Sequence, residues 1–294
     1  MKDIILIIEG GGILGVFGAG VLTAFQEANI YNRIKCIYAT SAGAHDAAYF
    51  LTKQSKLGSS IYFKDLTDKH FIRIDYKLRY IKDIFLHKFN KNHKIHDVIN
   101  LDFLIKLEKR VKNLKIKELQ RQKIPLFVRV FNIESLKHEY LNCKKDPLKA
   151  LKASSTNSPY YSKSVKIDNN NYIDGSVIDS KNFIEIIKSN PKTKIIYILN
   201  HEKNLSYLWN FRIRLFPLDF LAFVLLFGIK VALLREFSIY NFPKKKEIKR
   251  FSNVYLISND LNNNIICTNK SDLKKLYSQG IRKGKEITKI INKG

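Results

Sequence analysis

Glu9-Gly10-Gly11-Gly12-Ile13-Leu14-Gly15 and Ala39-Thr40-Ser41-Ala42-Gly43 decide how this chain of 294 residues folds. Each glycine-punctuated turn follows a short apolar run, at 4–8 and at 34–38, that reads as a buried strand. Each leads into a small-residue stretch that reads as the start of a helix. Across 15–28 the first helix keeps Val16, Ala19, Gly20, Leu22, Ala24 and Phe25 small or apolar nearly all round, as a helix pressed against a sheet requires. The chain therefore opens β-α-β-α, which predicts an α/β fold with a mainly parallel sheet and helices on both faces.

Gly10, Gly12 and Gly15 satisfy the G-x-G-x-x-G spacing of a dinucleotide site. Such a site needs an acidic residue at the end of the second strand to hold the ribose hydroxyls. Here that strand runs into Tyr38-Ala39-Thr40-Ser41, and a serine stands where the carboxylate would be. A nucleophile elbow needs small residues around its serine, because the turn is strained and helix and strand approach closely. Ala39, Ala42 and Gly43 are small at the required offsets, and Ser41 falls at a helix N-terminus, where developing negative charge is stabilised. Gly10, Gly11 and Gly12 lack Cβ atoms, so their N–H groups can approach the same point as an oxyanion hole.

A serine nucleophile needs a base. The histidines are His45, His70, His87, His93, His96, His138 and His201, and none follows a late strand as a triad histidine would. His45, one helical turn beyond Ser41, is expected to be a packing residue. Asp174 is the better candidate: it ends the second strand of a hairpin built from 165–167 and 172–174 and is followed by Gly175 and Ser176. Of its rivals, Asp168 reads as a turn residue and Asp179 as a cap.

Between 54 and 123 the chain is basic and helical, with no glycine after Gly58. Asp102 is expected near a helix N-terminus and 106–123 as a solvated face. The sheet resumes at 126–132, a short helix covers 147–155, further strands are expected at 192–199 and 254–257, and 270–291 reads as a charged helix interrupted by Gly280 and Gly284. The run 215–234 is nearly all apolar and approaches the ~20 residues of a transmembrane helix. Asp219 and Lys230 fall on one side of it, and Arg212, Arg214, Arg235 and 244–246 flank it with cations. Three readings stay open: a helix in a membrane interface, a core helix or lid over an acyl pocket, and a span.

The hydrophobic fraction of 45% is that of a globular chain. The 52 Lys and Arg against 26 Asp and Glu leave a formal charge of +26, which attracts nucleic acid, anionic lipid or acidic substrates. A coding bias toward Lys, Asn and Ile produces the same excess. Cys36, Cys143 and Cys267 are odd in number and widely spaced, which argues for free thiols and against a disulfide framework or a zinc site. The N-terminus matches no cleavable signal peptide, so a cytoplasmic chain with peripheral membrane contact is expected, and export without a cleaved signal is compatible with it. With no helix-turn-helix, zinc or RNP signature, no specific nucleic-acid partner is expected.

Four separated segments now resemble the patatin-like phospholipase family, in particular its bacterial branch: Gly10-Gly11-Gly12-x-x-Gly15, x-x-Ser41-x-Gly43, Ala153-Ser154-Ser155 with a nearby proline, and Asp174-Gly175-Ser176. The resemblance covers about the first 180 residues. It implies a three-layer α/β/α fold and a Ser–Asp dyad without histidine, in which Ser41 attacks an ester carbonyl and Asp174 takes its proton, with no cofactor and no metal. The chain departs from the family pattern at Leu14 (usually Arg or Lys), Ala39 (usually Gly), Ser176 (usually Gly or Ala), and Ser180 and Asn182 (commonly Asn and Pro). The expected organisation is a catalytic domain over 1–200, with the basic helical insertion inside it, and a C-terminal extension over 201–294 packed on that domain or on membrane. The expected function is a serine lipid acyl hydrolase acting on phospholipid or lysophospholipid at an anionic membrane surface. The alternative is a patatin fold with a decayed site, serving as a basic membrane- or partner-binding module.

Overall fold

The computed structural model describes residues 2–67, 70–73, 77–158, 160–176, 183–200, 220–239, 245–260 and 269–293. Asp179, Ser180, Asn182, His201, Arg212, Arg214, the 215–219 part of the apolar run, Lys244 and Cys267 lie outside the described residues. The elements are β1 Ile4–Ile8, α1 Val16–Glu27, β2 Ile34–Ala39, α2 Ala42–Leu51, α3 Ser55–Lys64, α4 Lys77–Phe89, α5 Leu101–Lys106, α6 Ile116–Arg121, β3 Leu126–Asn132, β4 Lys137–Asn142 and α7 Pro147–Ser154. They continue with β5 Val165–Ile167, β6 Asn170–Asp174, α8 Ile184–Ser189, β7 Lys194–Leu199, α9 over 220–227, α10 Ile229–Ile239, α11 Lys245–Ile248, β8 Val254–Ser258 and α12 Lys270–Lys293.

The strands form an eight-stranded sheet in the order β5-β6-β3-β2-β1-β7-β8, with β4 on the other edge of β3. Strands β3, β2, β1, β7 and β8 run parallel, while β4, β6 and β5 are antiparallel additions. Because side chains alternate along a strand, β1 serves both faces. Ile4, Leu6 and Ile8 pack with Phe17 and Leu22 of α1, Ala47 of α2 and Leu276 of α12. Ile5 and Ile7 pack with Phe183, with Ile187 of α8 and with Ile248 of α11. Both faces are covered, which is why β1 is buried at every position.

Three expectations change. Gly280 and Gly284 do not interrupt the last helix, since α12 runs unbroken from Lys270 to Lys293. They let it lie against α1: a Cβ on Gly280 would stand 2.1 Å from the Phe17 carbonyl oxygen, and one on Gly20 2.3 Å from that of Tyr277. Close helix contact outweighs the ~1 kcal/mol propensity loss of each glycine. Second, the apolar run is not one helix in its described part. Gly228, at φ +88°, separates α9 from α10, and among the described residues no helix is long and apolar enough to cross a membrane. Third, 106–123 is solvated only in part. Leu107, Glu108, Leu114 and Leu119 are buried, and Lys112 reaches inward to Asp65 at 2.8 Å. The π-helical turn Leu107–Val111 that follows α5 directs Leu107 and Glu108 inward. The described part of 201–294 supplies the edge strand β8 and the long helix α12.

Candidate active site

Parallel strands deliver their following loops to one edge of a sheet. The loop after β1 and the turn after β2 meet there: a hydrogen bond from Thr40 N–H to the Ile8 carbonyl ties them together, and one from Glu9 N–H to the Ile198 carbonyl ties the first loop to β7. Ser41 is the N-cap of α2 at φ 51° and ψ −131°. A non-glycine residue held there carries strain of about 1–3 kcal/mol and persists only when its surroundings over-determine it.

The surroundings do so. A Cβ on Gly43 would stand 2.6 Å from the Glu9 carbonyl oxygen and 2.8 Å from that of Ile8, so α2 starts directly on the end of β1. A Cβ on Gly15 would meet Ala42 Cβ at 2.7 Å and the Tyr62 hydroxyl at 2.6 Å, which accounts for small residues at both positions. Ala39 is fully buried at the end of β2. We expect Gly43→Ala to lose about 1–3 kcal/mol or more, as overpacking against backbone does. Its thermal midpoint should fall by several degrees, and an unchanged midpoint would contradict this packing.

Gly10 runs beside the serine: a Cβ there would lie 3.0 Å from Ser41 Cβ and 3.7 Å from its Oγ. Among the described residues the N–H groups of Gly10, Gly11 and Ala42 donate no hydrogen bond, so donors are left open around Ser41. Gly12 begins the short 3-10 turn Gly12–Gly15 at φ 55° and is exposed. Leu14 in that turn is wholly buried in the core. An apolar residue suits the place it occupies, and it presents no charge to the loop.

Asp174 reaches this point through strand register. Along one edge β3 pairs with β4 throughout. Along its other edge it pairs first with β2, ending at Ala39↔Val128, and then with β6, beginning at Val130↔Asp174. Along β3, pairing with β6 therefore takes over where pairing with β2 stops, and Asp174, the last residue of β6, occupies the place β2 vacates as its chain turns into Ser41. The carboxylate is buried. Its Oδ1 accepts the Ser176 N–H and hydroxyl, each at 2.8 Å, and a long contact of 3.5 Å from the Thr40 hydroxyl. Arg129 Nη1, at 3.2 Å, and His138 Nε2, at 3.1 Å, donate to the Gly175 carbonyl. A Cβ on Gly175 would stand 2.9 Å from the Arg129 backbone, so glycine is required beside the aspartate. The rival Asp168 sits at φ 52° in the β5–β6 turn, ion-paired to Lys145 at the surface.

Two residues without an assigned role hold the elbow. The Ser41 N–H donates to Ser154 Oγ at 2.8 Å, and that hydroxyl donates to the Arg129 carbonyl at 2.9 Å. Asn200, at the end of β7, donates to the Glu9 carbonyl at 2.6 Å and accepts the Gly18 N–H at 2.8 Å. The Ala153-Ser154-Ser155 segment was visible in the sequence as a motif, but its partner was not. Asn200 left no local signal.

His45 is buried, as a packing residue would be, yet both ring nitrogens are engaged. Nδ1 lies 2.7 Å from Glu108 Oε1 and Nε2 lies 2.8 Å from Ser155 Oγ. Cysteine is poorly placed to act here. Burial pushes the Cys143 thiol up to about 12 and raises Cys36 as well, against the opposing charge of Lys35, and a protonated buried thiol is a poor nucleophile. Among the described residues no cluster of His, Cys, Asp or Glu is arranged to hold a metal ion.

The strand–turn–helix serine, its glycine loop and the Asp-Gly turn all fall within residues 6–187, which the profile of the family described as Patatin-like phospholipase matches. The uncharacterized protein YjjU of Escherichia coli (strain K12) is 25% identical over 197 residues, covering 66% of this chain and 51% of the relative. The chain thus spans about half the length of that curated relative. Among solved structures, VipD from Legionella pneumophila aligns with a TM-score of 0.47 at 12% identity, over 97% of this chain and 66% of that one. The type III effector protein ExoU aligns at 0.38 and 12%, over 97% and 52%. The family match extends over more than half the chain and takes in each of the site's motifs, and on it the chain belongs to the patatin-like phospholipase family.

Proposed function

We propose that the chain is a serine lipid acyl hydrolase of the phospholipase A or lysophospholipase type, with Ser41 as nucleophile and Asp174 as base. The observation that carries the reading is the shared edge of β3, which sets Asp174 beside the strained turn of Ser41. In the proposed reaction Ser41 Oγ bonds to the ester carbonyl carbon and its proton passes to Asp174. The oxyanion that forms is held by N–H groups of the 10–12 loop and of Ala42. Collapse breaks the ester bond, the leaving alcohol takes the proton from Asp174, and an acyl-Ser41 remains. Water, deprotonated by Asp174, then attacks the acyl carbon; the bond to Ser41 Oγ breaks, Oγ takes the proton back from Asp174, and the fatty acid leaves. No hydrogen bond among the described residues engages the Ser41 hydroxyl. In the proposed mechanism the hydrogen bond from the Ser41 hydroxyl to Asp174 forms when substrate binds. A fluorophosphonate probe combined with product analysis on phosphatidylcholine and lysophosphatidylcholine tests this. Labelling at Ser41 with fatty-acid release is the expected result, and hydrolysis without Ser41 labelling would overturn it.

Access to such substrates is at a membrane surface. Phe85 and Phe89 on α4 are 51% and 76% exposed with ring centroids 5.0 Å apart, on the side away from Tyr80 and Ile84, which pack with Ala222 and Leu225 of α9. Ile229, Leu233 and Leu234 of α10 are exposed too, and exposed Lys82, Lys88 and Lys230 lie on the same helices. Exposed aromatics among cations suit an anionic interface. At about 1.5–3 kcal/mol per phenylalanine removed from water, Phe85→Ala with Phe89→Ala should weaken binding to phosphatidylglycerol vesicles at least ~10-fold by sedimentation. Equal binding would remove this face from the reading.

A second reading, a patatin fold without turnover that binds membrane or a partner, is favoured by one observation: Leu14 is buried, so this turn position brings no cation to the glycine loop. Absent labelling of Ser41 in a folded protein would support it.

A further inference from the structure

We propose that Glu108, His45 and Ser155 form a buried relay that positions the nucleophile elbow, with His45 and Glu108 acting as positioning residues. The proposal rests on the reading of Ser41 as nucleophile.

The three residues are 0%, 6% and 9% exposed, and they connect elements that surround Ser41. His45 lies one turn along α2 from Ser41, and its N–H points back to the Ser41 carbonyl at 3.4 Å. Ser155 directly follows Ser154, whose hydroxyl takes the Ser41 N–H. The end of α7 therefore grips the first turn of α2 at two points, Ser41 N–H on Ser154 Oγ and His45 Nε2 on Ser155 Oγ. Packing already holds the body of α2 in the core, and the second hydrogen bond adds a directional constraint on its first turn that apolar contacts do not supply. A carboxylate oxygen accepts, so the His45 Nδ1–H donates to Glu108, and in the neutral imidazole that leaves Nε2 to accept from the Ser155 hydroxyl. The carboxylate thereby selects the tautomer that closes the second grip.

Stability alone does not account for the arrangement. Glu108 comes from the π-helical turn of the insertion, and its Oε2 is buried with no hydrogen-bond partner among the described residues. A buried carboxylate with one oxygen unmatched is unfavourable, and apolar residues of similar volume in place of the whole buried set are often equally or more stabilising. What the relay supplies is orientation of a turn held at φ 51°, where a displacement of about 1 Å can reduce a rate on the order of 100-fold. The same three groups would activate Ser155 itself if substrate could reach it, but Ser155 is largely buried and, among the described residues, no glycine loop faces it in the way Gly10 faces Ser41.

The test compares Glu108→Leu, Ser155→Ala and the conservative Glu108→Gln, which keeps an acceptor for Nδ1–H. The readouts are the rate of fluorophosphonate labelling of Ser41, kcat and KM on lysophosphatidylcholine, and the thermal midpoint. Glu108→Leu and Ser155→Ala should label about 10- to 100-fold more slowly, with kcat lowered to match and KM within about two-fold. The midpoint of Glu108→Leu should fall, because the His45 Nδ1–H is left buried without its acceptor, whereas Glu108→Gln should keep the wild-type midpoint and label within about three-fold of the wild-type rate. If Glu108→Leu does not fold, Ser155→Ala alone decides. Wild-type labelling rates in the folded variants would overturn the relay and leave the nucleophile reading standing. Fluorophosphonate on Ser155 in a Ser41→Ala background would overturn it by making Ser155 a nucleophile. A wild-type protein that takes no label at Ser41 would remove the reading on which the relay depends.

Discussion

Ser41→Ala is expected to abolish fatty-acid release while leaving the fold as stable as wild type. Under the proposed mechanism the hydroxyl is the attacking atom, and removal of a serine nucleophile typically lowers kcat on the order of 10⁴- to 10⁶-fold. Stability should not follow, because the contact that Ser41 makes with Ser154 comes from its backbone N–H, which alanine retains. Alanine also inherits the strain of φ 51°. Ser41→Gly should relieve part of that strain and raise stability by about 1 kcal/mol. Activity lost together with stability raised would mark the turn as one held for chemistry. Hydrolysis of lysophosphatidylcholine and thermal melts on the two variants decide the matter. A Ser41→Ala protein that retains a few per cent of wild-type turnover would exclude Ser41 as the nucleophile.

Asp174→Asn should have the second-largest effect, a loss on the order of 10⁴-fold in kcat. In a dyad without histidine the aspartate is the only proton acceptor, and an amide of the same shape cannot take a proton. The variant keeps an oxygen where Oδ1 accepts the Ser176 N–H and hydroxyl, so its thermal midpoint should stay within a few degrees of wild type. Fluorophosphonate labelling of Ser41 should slow in parallel, since probe and substrate need the same deprotonation. If Asp174→Asn hydrolyses at a tenth of the wild-type rate or better, another group serves as the base. His45 is a poor substitute, since both its ring nitrogens are engaged with Glu108 and Ser155.

The parts of the site that were legible share a physical character. Ser41 could be read because its neighbours must be small: the glycine at 43 is demanded by backbone 2.6 Å away, and those at 10 and 15 by side chains. Asp174 was legible as the end of a hairpin whose turn residue, Asp168, adopts the positive φ that Asp tolerates. The reading of Gly280 and Gly284 as breaks failed for a related reason. A glycine at a helix–helix contact and a glycine at a helix end look alike in one dimension, and only the presence of α1 beside α12 separates them. Reading 106–123 as solvated failed at Glu108, because a carboxylate among lysines gives no sign that it points inward.

By itself the sequence determined the local chemistry: two strand–turn–helix units, a serine in a strained turn, a glycine loop beside it and an aspartate before a glycine. Those features depend on steric demands between residues close in the chain, which residue type records directly. Tertiary structure alone decided that β6 takes over the edge of β3 where β2 leaves it, bringing Asp174 to Thr40 across 134 positions. It also decided that Ser154 captures the Ser41 N–H and that Glu108 is buried against His45. Such contacts depend on which strand edges remain unpaired and which helix faces are covered once the sheet has formed, and no local pattern of residues carries that information.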